Sequence, residues 1–99
     1  MKHLKHFENT KLHKKYLVQE MHQVFTLFVV YENIKELIGN RLMLRQVYSL
    51  TRDGVLTQKD HEPTFTYNIG DVDWVYQSDN IDDVLDMLQA TIDKKKYNL

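Results

Sequence analysis

The chain has 99 residues, of which 42% are hydrophobic and 27% charged, with a net charge of −1. This length supports one domain with one core, and the composition is ordinary for a globular protein in water. The absence of cysteine excludes disulfides, thiol catalysis and cysteine-based metal sites. The longest apolar run, residues 24–31, is too short to cross a bilayer, and the N-terminus lacks a secretory signal pattern. We therefore expect a cytoplasmic protein without membrane contact.

Charge is unevenly distributed along the chain. Residues 1–59 contain ten Lys or Arg and five Asp or Glu, a net of +5. Residues 60–99 contain three Lys or Arg and nine Asp or Glu, a net of −6. A basic region favours contact with nucleic acid, and an acidic region favours contact with a basic protein. The charge pattern therefore leaves both classes of partner open.

The beginning of the chain predicts a tail and a helix. Residues 1–9 are polar and basic, and we expect a flexible N-terminus followed by a single domain at residues 10–99. Apolar side chains recur on one helical face from Leu12 to Phe28, which indicates a long first helix. The nearly continuous apolar run at residues 24–31 indicates either burial on all sides or a change to a short strand.

A short second helix is predicted next. Asn33 and Glu36 have the spacing of a capping box, in which each side chain satisfies free amides at a helix start. Gly39 is suited to the end of this helix, because glycine adopts positive φ without steric cost.

Residues 42–54 allow two interpretations. Leu44, Val47 and Leu50 recur at every third position with polar residues between them, which favours an amphipathic third helix that ends at Asp53 and Gly54. An Asp-Gly pair is also a strong hairpin signal. In that alternative, residues 42–51 form a strand in a four-stranded antiparallel meander between two helices, an α+β fold.

The last third of the chain predicts strands and then a helix. Phe65, Tyr67 and Ile69 alternate with polar residues, as in a half-buried strand, and Gly70-Asp71 could form a hairpin turn into the next strand. A C-terminal helix starting near Ile81 has apolar residues along one stripe, an acidic first turn and a basic end, which suits the helix dipole.

The order of elements over residues 34–69 resembles the recognition helix and wing of winged helix-turn-helix DNA-binding proteins, of the kind seen in the PadR and ArsR families and in replication terminators. The motif LTRDGVLT at 50–57 is similar to the end of a recognition helix and its turn into the wing. The motif FTYNI at 65–69 is similar to the returning wing strand.

This resemblance implies a mainly helical α+β fold and a homodimer formed through the long first helix and the C-terminal helix. It also implies a small regulator that reads double-stranded DNA with a recognition helix at about 43–52 and a wing at about 55–69. The candidate DNA-binding residues include three for base edges and three for phosphates. They are Arg45, Gln46 and Ser49 for bases, and Arg41, Arg52 and Lys59 for phosphates.

Other functions have less support from the sequence. Only three glycines are present, and no phosphate loop or activated nucleophile is recognisable, so we expect no enzyme and no cofactor. His3, His6 and His13 lie in a basic segment without an accompanying cluster of carboxylates, and we predict no metal site. The competing hypothesis is a small α+β inhibitor or adaptor that binds another protein through its acidic C-terminal half or an aromatic surface near Trp74.

Overall fold

The protein folds as a six-stranded antiparallel sheet with one helix in the part of the chain that the structure describes. The computed structural model describes the backbone of residues 13–97 and the side chains of residues 13–94. Of the residues that the structure describes, about half lie in strands and about a fifth in the helix. The elements in chain order are β1 (Tyr16–Glu20), β2 (Thr26–Leu37), β3 (Arg41–Thr51), β4 (Leu56–Gln58), β5 (Thr64–Asn68), a single 3-10 turn (Ile69–Asp71), β6 (Trp74–Ser78) and α1 (Ile81–Tyr97).

β2 and β3 form the long hairpin at the centre of the sheet. The strand order is β4-β3-β2-β1-β6, and β5 pairs with β3. The edge of β3 that faces away from β2 pairs with two short strands: β5 along residues 41–45 and β4 along residues 48–50. β5 and β6 therefore lie at opposite edges of the sheet, although they follow each other in sequence.

The short link between β5 and β6 requires the sheet to curl. In a flat sheet, four strand spacings would separate these two strands by about 19 Å. The link from Ile69 to Asp73 begins with a 3-10 turn, which rises only about 2 Å per residue. Two ring contacts on one face record the curl: the Tyr31 ring of β2 meets the Tyr67 ring of β5 at 5.2 Å and the Trp74 ring of β6 edge to face at 5.8 Å.

The two faces of the curled sheet bury separate apolar clusters. On the first face, which we call the helix side, strand residues such as Val18, Val30 and Leu50 contact Val84 and Leu88 of α1. The second face, which we call the curl side, buries a cluster of strand residues covered by side chains of β5, the 3-10 turn and β6. That cluster consists of Leu17, Val29, Tyr31, Leu42 and Leu44, with Met21, Tyr67, Ile69 and Trp74 at its margin.

Two polar groups of the curl-side cluster have hydrogen-bond partners, whereas the buried Oδ1 of Asn33, which is paired with Leu44, has none. The Tyr31 hydroxyl donates to Gln19 Oε1 at 2.8 Å, and Trp74 Nε1 donates to the Ile69 carbonyl at 3.1 Å. Burial, reinforced by the hydrogen bond with the Tyr67 hydroxyl, raises the pKa of the Tyr31 phenol well above its usual range.

The mainly helical winged-helix prediction is wrong, most clearly for the recognition helix at about 43–52, which is β3. The spacing of Leu44, Val47 and Leu50 misled because β3 contains a bulge. Gln46 pairs with Tyr31 and Tyr48 pairs with Val30, which leaves Val47 as the extra residue. The bulge places Val47 on the helix side with Leu50, whereas Leu44 belongs to the curl side. The three residues therefore share no face, and only their spacing in the sequence imitates a helical stripe.

The first two predicted helices are also wrong where the structure describes them. β1 and β2 occupy most of residues 16–37, and the start of the long first helix, like the N-terminal tail at 1–9, lies outside the described residues. The predicted capping box at Asn33 is inside β2. Gly39 has a positive φ of 80° as anticipated for a helix end, but it stands in the β2–β3 turn beside Asn40 at 58°.

The remaining elements are closer to expectation. The C-terminal helix is confirmed as α1, and the strand predicted at 65–69 is confirmed as β5. The wing at about 55–69 is not formed, because β4 and β5 each pair with β3. The alternative meander correctly makes residues 42–51 a strand. It has four strands and two helices, however, whereas residues 13–97 contain six strands and one α-helix.

Candidate functional site: an apolar tip beside an acidic helix

The six residues predicted to bind DNA do not form one surface. Arg41 is the first residue of β3, and Arg52 follows its last residue. The two are eleven positions apart, which corresponds to roughly 35 Å of extended chain. Arg41 Nε donates to the Ile38 carbonyl at 3.1 Å, within the β2–β3 turn. Its charge is therefore remote from that of Arg52.

The other four predicted contacts belong to the sheet or its margin. Arg45 Nη2 lies 3.0 Å from Glu32 Oε1, its cross-strand neighbour, so its charge is compensated. Gln46 and Ser49 are half-buried in β3. The Lys59 amide donates to the Val47 carbonyl at 2.8 Å, which fixes the chain after β4.

Arg52 instead connects two turns at one end of the sheet. Its Nε donates to the Gln23 carbonyl at 2.7 Å and its Nη2 to the Met21 carbonyl at 3.0 Å. Its backbone amide donates to the Phe25 carbonyl at 2.9 Å. Three hydrogen bonds from one residue therefore hold the β1–β2 loop against the turn that follows β3.

These two turns carry a cluster of exposed apolar side chains, which we call the apolar tip. The exposed fractions are 79% for Val24 and 78% for Phe25 on the first turn. They are 57% for Val55 on the second turn and 40% for Leu56, the first residue of β4. The second turn is itself tight, because Thr51 and Val55 exchange hydrogen bonds through the Thr51 amide and hydroxyl, each 3.0 Å long. The apolar tip is thus built on hydrogen-bonded backbone.

The C-terminal part of α1 adjoins the apolar tip. Gly54, in the second turn, has a φ of 92°, and a Cβ at this position would lie 3.6 Å from Cγ2 of Ile92. The buried residues Val84 and Leu88 face the sheet, so the opposite side of the helix is in solvent. A surface of α1 therefore continues from the apolar tip along the protein.

The exposed side of α1 is acidic. Asp82, Asp86 and Asp93 are exposed, and their spacings of four and seven residues place them on one helical face. The helix is capped by Asn80, whose Oδ1 accepts from the Asp82 amide at 2.9 Å. The combined surface is apolar at the tip and acidic at Asp82, Asp86 and Asp93, and beyond Asp93 it continues into the exposed Lys94.

A second group of polar side chains lies where β1 ends and β6 begins. His22 Nε2 is 3.1 Å from Asp73 Oδ2, and a Glu20 carboxylate oxygen is within 4.8 Å of both ligand atoms. The sequence offered no partner for His22, since Asp73 is 51 residues away. Only the pairing of β1 with β6 brings the two together.

Comparison with known proteins gives no family and no relative. No protein-family model matches the chain, and neither the curated proteins nor the solved structures include a match. Among the described residues, the structure has no helix with the length and apolar character needed to span a membrane.

Proposed function

We propose that this protein is a small protein-binding module, without catalytic activity, that docks a basic partner segment containing apolar side chains. The observation that carries the proposal is the apolar tip: four exposed apolar side chains on and beside two turns that Arg52 holds together. Scattered exposed hydrophobic residues are ordinary, whereas a contiguous apolar group is characteristic of a binding surface.

Charge complementarity selects the partner's chemistry. The apolar tip adjoins α1, whose exposed face carries Asp82, Asp86 and Asp93. An acidic surface repels phosphate groups and attracts Lys and Arg, so a basic protein segment fits it better than a nucleic acid does. The separation of Arg41 from Arg52 also favours a protein, because DNA binding needs cations along one surface.

The two parts of the surface have different roles in this proposal. An aromatic side chain at the centre of an interface commonly supplies a large share of the affinity, and Phe25 is the aromatic residue of the tip. Charges at the margin mainly accelerate association and add salt dependence. A cytoplasmic location for the protein and its partner belongs to the same proposal.

The experiment is selection from a library of random displayed peptides, followed by affinity measurement on individual peptides. We expect the selected peptides to combine Lys or Arg with aromatic or aliphatic residues. Phe25→Ser should lower their affinity roughly tenfold or more. The Asp82→Asn/Asp86→Asn variant should lower it less and should flatten its dependence on salt.

Ile38→Ser is the matched control, because Ile38 is 90% exposed but isolated at the other end of the sheet. Binding should survive this change, and amide shifts induced by the peptide should map to the two turns of the tip. Selection of acidic peptides would contradict the proposal. So would an equal loss of peptide affinity in Phe25→Ser and Ile38→Ser. Sedimentation could also contradict it, if the wild-type protein self-associates and Phe25→Ser does not. A second copy of the chain would then cover the apolar tip.

A further inference from the structure

The group formed by Glu20, His22 and Asp73 has the composition of a metal site. One imidazole nitrogen and two carboxylate oxygens lie within 4.8 Å of one another. Zinc accepts both kinds of ligand at about 2.0–2.2 Å, which places neighbouring ligand atoms about 3.3 Å apart in a tetrahedron. His22 Nε2 and Asp73 Oδ2 form a hydrogen bond of 3.1 Å, and an ion that replaced the shared proton would find the two atoms at nearly this spacing.

Backbone hydrogen bonds fix the positions from which these side chains extend. The Glu20 amide donates to the Asp73 carbonyl at 3.0 Å, and the Met21 amide donates to the Leu27 carbonyl at 2.8 Å. The carbonyls of Met21 and Gln23, on either side of His22, both accept from Arg52. Three separate segments of chain are therefore held together around the cluster.

A bulge contributes to this arrangement. The register between β1 and β6 shifts after Val18, so that Gln19 pairs with Trp74. Bulges often re-aim side chains at the ends of strands. Here the shift brings Asp73 beside Glu20, and the half-buried Glu20 has a side chain long enough to close the remaining distance.

We infer that Glu20, His22 and Asp73 bind a zinc-class divalent cation, a role independent of the proposed docking surface. Two carboxylates and a neutral imidazole give the ligand set a charge of −2, which balances a divalent ion. Imidazole selects zinc-like ions over magnesium, which prefers oxygen ligands and water. Three protein ligands leave a fourth position for water.

The test is a zinc chloride titration of the full chain at neutral pH, followed through the imidazole nitrogen resonances. We expect one equivalent of zinc to shift Nε2 of His22 and a large excess of magnesium to leave the complex intact. His22→Gln should lower zinc affinity by roughly tenfold or more, and Glu20→Gln and Asp73→Asn should lower it as well.

His61→Asn is the matched control, because His61 is an exposed histidine outside the cluster and asparagine tolerates its positive φ. This variant should bind zinc as the wild type does. Three results would overturn the inference: an unshifted His22 resonance at saturating zinc, equal affinities for wild type and His22→Gln, or displacement of zinc by magnesium. Far-ultraviolet circular dichroism of each variant shows whether the fold is retained.

Discussion

The two faces of the sheet are closed in different ways. On the helix side, a separate element covers the strands with Val84 and Leu88, and the contacts are apolar. On the curl side, the sheet covers itself, and hydroxyl and indole groups within that cover form hydrogen bonds. The helix side should therefore respond most to lost volume, whereas the curl side should also respond to pH.

This double closure explains the apolar run in β2. Val29, Val30 and Tyr31 are exposed by only 4%, 0% and 3%, although they point alternately to opposite faces. A strand buried on both faces has a nearly continuous apolar sequence instead of an alternating one. For residues 24–31 the sequence predicted either burial on all sides or a short strand. Both are correct for these three residues, because they are buried on both faces of strand β2.

The largest expected effect is on the helix side. Leu88→Ala should lower the free energy of unfolding by about 2–5 kcal/mol, because it leaves a cavity between α1 and the sheet. Urea denaturation followed by circular dichroism measures this loss. Gln89→Ala is the control on the exposed side of the same helix and should change stability by less than about 0.5 kcal/mol. Similar losses in both variants would mean that α1 is not anchored through Leu88.

The sequence predicted which residues adopt positive φ more reliably than it predicted whether those residues end a helix or form a turn between strands. Gly39 and Gly54 do adopt positive φ, but the sequence interpretation placed both at helix ends and the structure places both in turns between strands. Asp53-Gly54 is a hairpin signal, and here it is the correct one. The competing spacing of Leu44, Val47 and Leu50 arises because β3 is buried on both faces and has a bulge at Val47. That bulge depends on pairing with β2, which is a tertiary property.

The candidate sites were beyond sequence analysis for a related reason. Phe25 belongs to an apolar run that predicts burial, and its exposure follows from the position of the β1–β2 turn. Glu20 and Asp73 are 53 residues apart, and they meet because β6 pairs with β1 instead of with β5. Arg52 looked like a phosphate ligand because its carbonyl partners belong to a distant loop.

A smaller effect is expected on the curl side, at Tyr31. Tyr31→Phe removes the hydrogen bond to Gln19 and should cost about 1 kcal/mol at neutral pH. In the unfolded chain a tyrosine ionises near pH 10, whereas the folded protein holds the Tyr31 pKa higher. The stabilisation is therefore complete below about pH 10 and declines as the pH rises further.

The measurement is urea denaturation of both proteins at a series of alkaline pH values. The wild type should lose stability with pH more steeply than Tyr31→Phe, so that the difference between them narrows above about pH 10. Parallel curves would show that Tyr31 ionises as readily in the folded protein as in the unfolded chain.

The smallest effect is expected where the helix side becomes polar. Glu32 of β2 pairs with Tyr16 of β1 on one side and with Arg45 of β3 on the other. At this position the helix side carries the Glu32–Arg45 ion pair and no apolar cluster. The side chains of Arg45 and Glu32 are 40% and 22% exposed, so water reaches both. A double-mutant cycle with Glu32→Gln and Arg45→Gln should give a coupling of about 0.2–1 kcal/mol, and added salt should reduce it. A coupling above about 2 kcal/mol, insensitive to salt, would mean that water is excluded from the pair and that the helix-side cluster continues as far as Arg45.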